Sequence, residues 1–143
     1  MADYRKVKSS KIYMGRLSHD ADLLEELTAV CIKEGITLGR VEAIGAIKKG
    51  KVGYYDQSKR EYAFLDLNGP LEITALKGNI SLKEGTPFVH AHVTLSDNAG
   101  QCFGGHLAPG TIIFACEFII HSFEGEAFER HFDEVTRLPL WKI

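Results

Sequence analysis

No two cysteines stand in a Cys-x-x-Cys spacing, and the three present, Cys31, Cys102 and Cys116, are too few and too scattered for a disulfide framework. Cys31 falls in a helical stripe and Cys116 inside the apolar stretch Ile112–Ile120, so small buried hydrophobes in a reducing compartment are expected. Long uninterrupted apolar runs are missing, which excludes a membrane-spanning helix and leaves no membrane role to assign. The N-terminal MADYRKVKSSKIYMG carries positive charge with no apolar region after it, so no secretory signal is written there and a cytoplasmic location is expected. An excess of basic charge is also missing. The net charge is -2, and the basic groups Arg5, Lys6, Lys8, Lys11 and Lys48, Lys49, Lys51 read as a solvated terminus and a hairpin turn. There is no GxGxxG, no phosphate-binding loop, no GxSxG and no Cys–His pair, and Ser81, Ser96 and Ser122 have no nucleophile setting.

What is present suits a single domain over residues 1–143, with no internal repeat or linker. A chain of this length buries about two-thirds of its unfolded surface. One helix is clearly patterned. Leu23, Leu24, Leu27, Val30 and Cys31 share one face of a 3.6-residue period, and Glu25, Glu26 and Lys33 lie on the other. Ser18 and Asp20 are the expected caps, Asp20 and Asp22 suit the helix dipole, and Gly35 is the expected stop. The remainder reads as strands: Leu38–Ile47, Val52–Asp56, Tyr62–Leu67, Leu71–Ile80, Phe88–Leu95, Thr111–His121 and Ala127–Val135. The turn residues between them favour antiparallel hairpins over βαβ units. The fold class is therefore α+β: a mostly antiparallel sheet with one long helix packed on one face.

Alternation within Phe88–Leu95 carries the functional reading. Val89, Ala91, Val93 and Leu95 form a uniformly apolar face, and His90 and His92 look the other way. His106 follows 14 residues later, after the turn residues Ser96–Gly100, and a hairpin would fold it back beside the pair. Three neutral imidazoles suit zinc or another divalent transition metal and leave a coordination position open for water or a small molecule. Gly104 and Gly105 would let the backbone bend close to the ion. His19 and His131 read as ordinary polar histidines, while His121 ends a strand where it is placed to line a pocket, with nothing to pair it with the others. Glu72 and Glu117 qualify as a fourth ligand or base only if they share the histidine face. Tyr54, Tyr55 and Tyr62 would stack on one another or on bases.

Several segments resemble the prokaryotic form of the PPC domain, the "plants and prokaryotes conserved" domain. LEITALKGNI is similar to one strand of that family, VEAIGAIKKGKVGYYD to an earlier hairpin, and HAHVTLSDNAGQCFGGHL to its most diagnostic stretch, the likeness running from Lys11 to His121. The resemblance implies a compact sandwich-like domain assembling as a homotrimer. Some stand-alone prokaryotic members are metal-containing, which implies metal ligation at His90, His92 and His106. Plant members follow DNA-binding AT-hooks, but no Arg-Gly-Arg-Pro core occurs here. The GTPFVHAH and GGHLAPG segments also echo the cupin motifs, yet Leu95 and Ser96 stand where a cupin carries its glutamate.

These readings lead to a metal-binding, self-associating domain with zinc as the expected cofactor. The alternatives are a metal-dependent enzyme with an open coordination site, and a DNA-binding or transcription-associated protein by analogy with the plant relatives. Sequence-specific nucleic-acid binding by the isolated chain is expected to be weak or absent.

Overall fold

The helix starts one residue past the acidic cap that holds it. A computed structural model, describing residues 1–143, places α1 at Leu23–Glu34. Asp22 is the N-cap. Its Oδ1 accepts hydrogen bonds from the backbone N–H groups of Leu24 (3.0 Å) and Glu25 (3.1 Å), which have no partner inside the helix. The cap thus lies beyond Ser18 and Asp20, where the sequence pattern put it. Asp20 instead takes a left-handed conformation (φ 65°) and pairs with Lys48. Gly35 does end the helix at φ 64°, and the N–H groups of Gly35 and Ile36 close onto the carbonyls of Ile32 and Cys31 at 3.2 and 2.8 Å. Leu23, Leu27 and Cys31 are completely buried, as the periodicity implied. No helix is long and apolar enough to cross a membrane.

The strands are β1 (Lys8–Arg16), β2 (Gly39–Asp56), β3 (Glu61–Lys83), β4 (Thr86–Ser96), β5 (Cys102–Leu107), β6 (Ile112–Glu124), β7 (Arg130–Phe132) and β8 (Pro139–Trp141). Six form one antiparallel sheet in the order β1-β6-β2-β3-β4-β5. β5 also reaches back to β2, pairing Leu107 with Val52 and His106 with Gly53. Strands β2, β3, β4 and β5 therefore close on one another, while β6 and β1 extend the sheet from the first half of β2. Helix α1 packs over β4, and Leu23, Leu27 and Cys31 share one buried cluster with Val89, Ala91, Val93 and Leu95. The mostly antiparallel sheet with its one helix is the architecture the pattern implied.

Three features differ from the sequence reading. Leu38–Ile47 and Val52–Asp56 are one strand, β2, and Tyr62–Leu67 and Leu71–Ile80 are one strand, β3. Lys48-Lys49-Gly50 and Asn68-Gly69-Pro70 are not turns. They lie opposite each other, at a register shift where Ile47 faces Leu71 and Lys49 faces Asn68. Pro70, which has no N–H to give a ladder, sits at that irregular point in the pairing of the two long strands. A second shift falls at Gly45 (φ 144°), where an added Cβ would lie 2.2 Å from the Ala115 carbonyl oxygen.

The N-terminal basic stretch is not a free terminus. Lys8–Arg16 forms the edge strand β1 along β6, and its lysines suit an edge exposed to water. At the other end, Ala127–Val135 is not one strand. Only Arg130–Phe132 is extended, paired with β8 in a separate two-stranded ribbon. Asp133 breaks it: its Oδ2 accepts from the N–H and hydroxyl of Thr136, both at 2.7 Å, and turns the chain back.

Candidate metal centre

Strand β4 divides its side chains by alternation, burying Val89, Ala91, Val93 and Leu95 and turning His90 and His92 outward. The β4–β5 turn is built by Asp97, whose Oδ1 accepts from the N–H groups of Ala99 and Gln101, both at 2.9 Å. That turn sets a register in which His106 stands directly across from His92. β5 is held against β2 on its other side. A Cβ at Gly105 would lie 2.6 Å from the Gly53 carbonyl oxygen, so only glycine permits this approach. The sequence suggested that Gly104 and Gly105 make room for an ion; the atoms they make room for are backbone atoms of neighbouring strands.

Ring centroids of the three histidines are 5.0 Å apart for His90–His106, 5.3 Å for His90–His92 and 5.7 Å for His92–His106. One ring nitrogen from each lies within 4.8 Å of the others. Tetrahedral zinc ligation at about 2.0–2.1 Å requires nitrogen separations of roughly 3.4 Å. Small side-chain rotations cover that difference, since the backbone register already converges the rings.

The electrostatics favour lone pairs over protons. Burial, then the nearby Arg130 charge, lowers the His90 pKa from 6.5 to about 4. Burial also lowers His106, with the charges of His92 and Arg130 adding to it. Both imidazoles are therefore held in the neutral form that ligates metals. His106 Nδ1 is buried with no hydrogen-bond partner, a state that costs about 1–3 kcal/mol in a folded protein. Three convergent imidazoles with one orphaned nitrogen fit a divalent transition ion.

Other candidates fall elsewhere. Glu72 and Glu117 are exposed and outside the cluster, so neither stands as a fourth ligand. His19 and His131 are exposed, His19 with its Nδ1 at 2.6 Å from the Phe114 carbonyl oxygen. His121 Nε2 lies 2.7 Å from the Ser9 hydroxyl. Tyr54 points to solvent, but Tyr62 packs edge-on to Tyr55 (5.1 Å) and tilts against His106 (5.3 Å), forming one wall of the histidine cluster.

The residue that sequence reasoning passed over is Arg130. Its Nη2 lies 3.4 Å from His90 Nδ1, although it belongs to the C-terminal ribbon, 40 residues away in the chain. No motif surrounds it. Only the docking of the ribbon, where Leu82 N–H bonds to the Phe128 carbonyl at 2.8 Å, brings it beside β4.

Comparison with known proteins agrees with this fold. A metal-containing protein from Archaeoglobus fulgidus is similar at 39% identity and a TM-score of 0.95, covering 99% of this chain and 100% of that one. A plant- and prokaryote-conserved (PPC) protein from Pyrococcus horikoshii is similar at 36% identity and a TM-score of 0.93, covering 99% and 98%. Among curated proteins, a Synechococcus protein named bifunctional protein GlmU is 33% identical over 130 residues, 90% of this chain; the chain spans only 19% of that protein's length. The model of the Plants and Prokaryotes Conserved (PCC) domain matches residues 4–124, and the chain belongs to that family.

Proposed function

We propose that this chain is a metal-binding, self-associating domain whose resident ion is held by His90, His92 and His106. The observation that carries the reading is the convergence of three imidazoles, two of them kept neutral by their surroundings, around the unpartnered Nδ1 of His106. The metal-containing protein of Archaeoglobus fulgidus, similar over nearly the whole chain, supports it. Zinc is the ion we assign. It tolerates three nitrogen ligands with a fourth position open, where it acts as a Lewis acid toward a water or ligand oxygen.

Self-association is part of the same proposal, as a homotrimer. The sheet face away from α1 carries a groove of about 630 Å³, and Met14, Ile44 and Ile119 along it are 74%, 58% and 39% exposed. A second chain would cover such apolar surface.

The metal assignment is tested by elemental analysis of protein purified without chelator. One equivalent of zinc per chain is expected, falling to near zero in the His90→Ala/His92→Ala double variant. A double variant that keeps its full equivalent refutes the assignment.

A further inference from the structure

We infer that the histidine cluster and Arg130 together form a binding site for a small oxyanion, a carboxylate or phosphate group that bridges the metal's open position and the guanidinium. The inference rests on the metal assignment above and concerns what else that site takes.

Arg130 is an unusual group to find here. It is only 9% exposed, and its guanidinium is held rigidly. Nε donates to the Ser81 hydroxyl at 2.9 Å, Nη1 to the Pro139 carbonyl at 2.9 Å, and Nη2 to Asn79 Oδ1 at 2.8 Å. The Phe88 and Trp141 rings flank it, 5.3 and 5.7 Å from its central carbon. Every one of these partners is neutral. Arg130 takes part in none of the ion pairs of the protein, so no carboxylate within 4.0 Å balances its charge. A buried cation is normally paired with an anion. Here its Nη2 lies 3.4 Å from His90 Nδ1 instead.

Counting donors sharpens the point. A guanidinium has five N–H groups. Three are taken by Ser81, Pro139 and Asn79, leaving one on each terminal nitrogen. The remaining Nη2 donor has His90 Nδ1 at 3.4 Å as its nearest acceptor, and only while that nitrogen carries a free lone pair. A metal removes that acceptor whichever nitrogen ligates it. If Nδ1 is the ligand, its lone pair is used. If Nε2 is the ligand, the neutral ring must carry its proton on Nδ1, and two N–H groups face each other. Metal loading therefore leaves that Nη2 donor without its nearest acceptor, beside a divalent cation. An oxyanion answers both needs at once: oxygens for the metal and the Nη2 N–H, and negative charge for both cations. Tyr62, whose ring stands 5.3 Å from His106, walls the site on that side.

The test uses cobalt(II) in place of zinc, because its visible absorption bands respond to exchange at the open position. Inorganic phosphate and acetate are titrated in separate arms, which distinguishes the two chemical sources. Saturable band shifts are expected with at least one anion. Arg130→Lys keeps the charge but loses the planar fork; it should retain one cobalt per chain and weaken the anion at least tenfold. Equal anion affinity in Arg130→Lys and the unaltered protein overturns the inference. Failure of the unaltered protein to bind cobalt overturns the metal assignment, a separate result. A second measurement needs no variant: crystals of the metal-loaded chain soaked in arsenate should show anomalous arsenic density within hydrogen-bond distance of Arg130. Arsenic absent from that place overturns the phosphate form, and together with no saturable shift in the acetate arm it overturns the inference whole.

Discussion

His92 and His106 face each other directly across the β4–β5 ladder, with ring centroids 5.7 Å apart, and His90 lies two positions along the same strand. Their convergence is set by strand register and by the close approach of β5 to β2 at Gly105, neither of which needs an ion. The buried cluster behind them is built from aliphatic residues of the sheet and helix. On the proposed assignment, metal binding and folding are therefore separable in this chain, unlike in a zinc finger.

Removing one ligand should accordingly empty the site and leave the fold. Loss of a residue that merely supports a ligand costs about 10–100-fold in metal affinity, so deletion of the ligand itself in His92→Ala should exceed about 100-fold. His19→Ala, at an exposed histidine outside the cluster, should change nothing. Equilibrium dialysis against zinc measures both, with circular dichroism to confirm an intact sheet. Equal zinc affinity in the two variants would show that the histidine cluster is not the metal site.

The same separation explains what could be read from the sequence. Period-2 alternation in β4 and the turn residues before β5 are local signals, and they were enough to bring His90, His92 and His106 together. The amphipathic stripe ending at Gly35 was equally local. Asn68-Gly69-Pro70 misled because a register shift between paired strands and a hairpin turn draw on the same residue types, and only the partner strand distinguishes them. Arg130 was invisible for a different reason. Its role depends on where a short ribbon docks, and nothing in the residues around it encodes that position.

Gly105→Ala tests whether packing alone positions His106. The added Cβ would lie 2.6 Å from the Gly53 carbonyl oxygen, a backbone atom that cannot rotate away. β5 must shift off β2, carrying His106 with it. Overpacking of this kind costs about 1–3 kcal/mol. Urea denaturation should show that loss, and zinc affinity should fall although every ligand is retained. Unchanged zinc affinity would mean that the β5–β2 approach does not place the ligand.

Acid should destabilise the metal-free protein within a definite window. The folded chain holds His90 at about 4, below its ordinary value of 6.5. Between those values the unfolded chain takes up a proton at this position that the folded chain refuses, so unfolding is favoured as pH falls. The stabilising contribution is complete above about 6.5, declines toward about 4 and is gone below it. His106 is lowered by the same burial and acts in the same direction. Thermal melts of chelator-treated protein across this range should show a falling midpoint, and His90→Asn should flatten the slope. An identical slope in that variant would remove His90 as the cause.

The groove across the sheet makes the last case. Met14, Ile44 and Ile119 come from three different strands, β1, β2 and β6, and their exposure together is more than scattered surface hydrophobes require. Arg16, Glu42, Lys77 and Glu117 line the same groove with charges of both signs, as a surface that meets a copy of its own chain in a closed ring can pair them. Light scattering at micromolar concentration should give a mass three times the 15.9 kDa of one chain. Ile44→Lys places a charge in the groove at a residue 58% exposed in the single chain, so it should leave the fold intact and break the assembly. A single-chain mass for the unaltered protein would defeat the trimer. A trimeric Ile44→Lys with unchanged dissociation would instead show that the chains meet through another face.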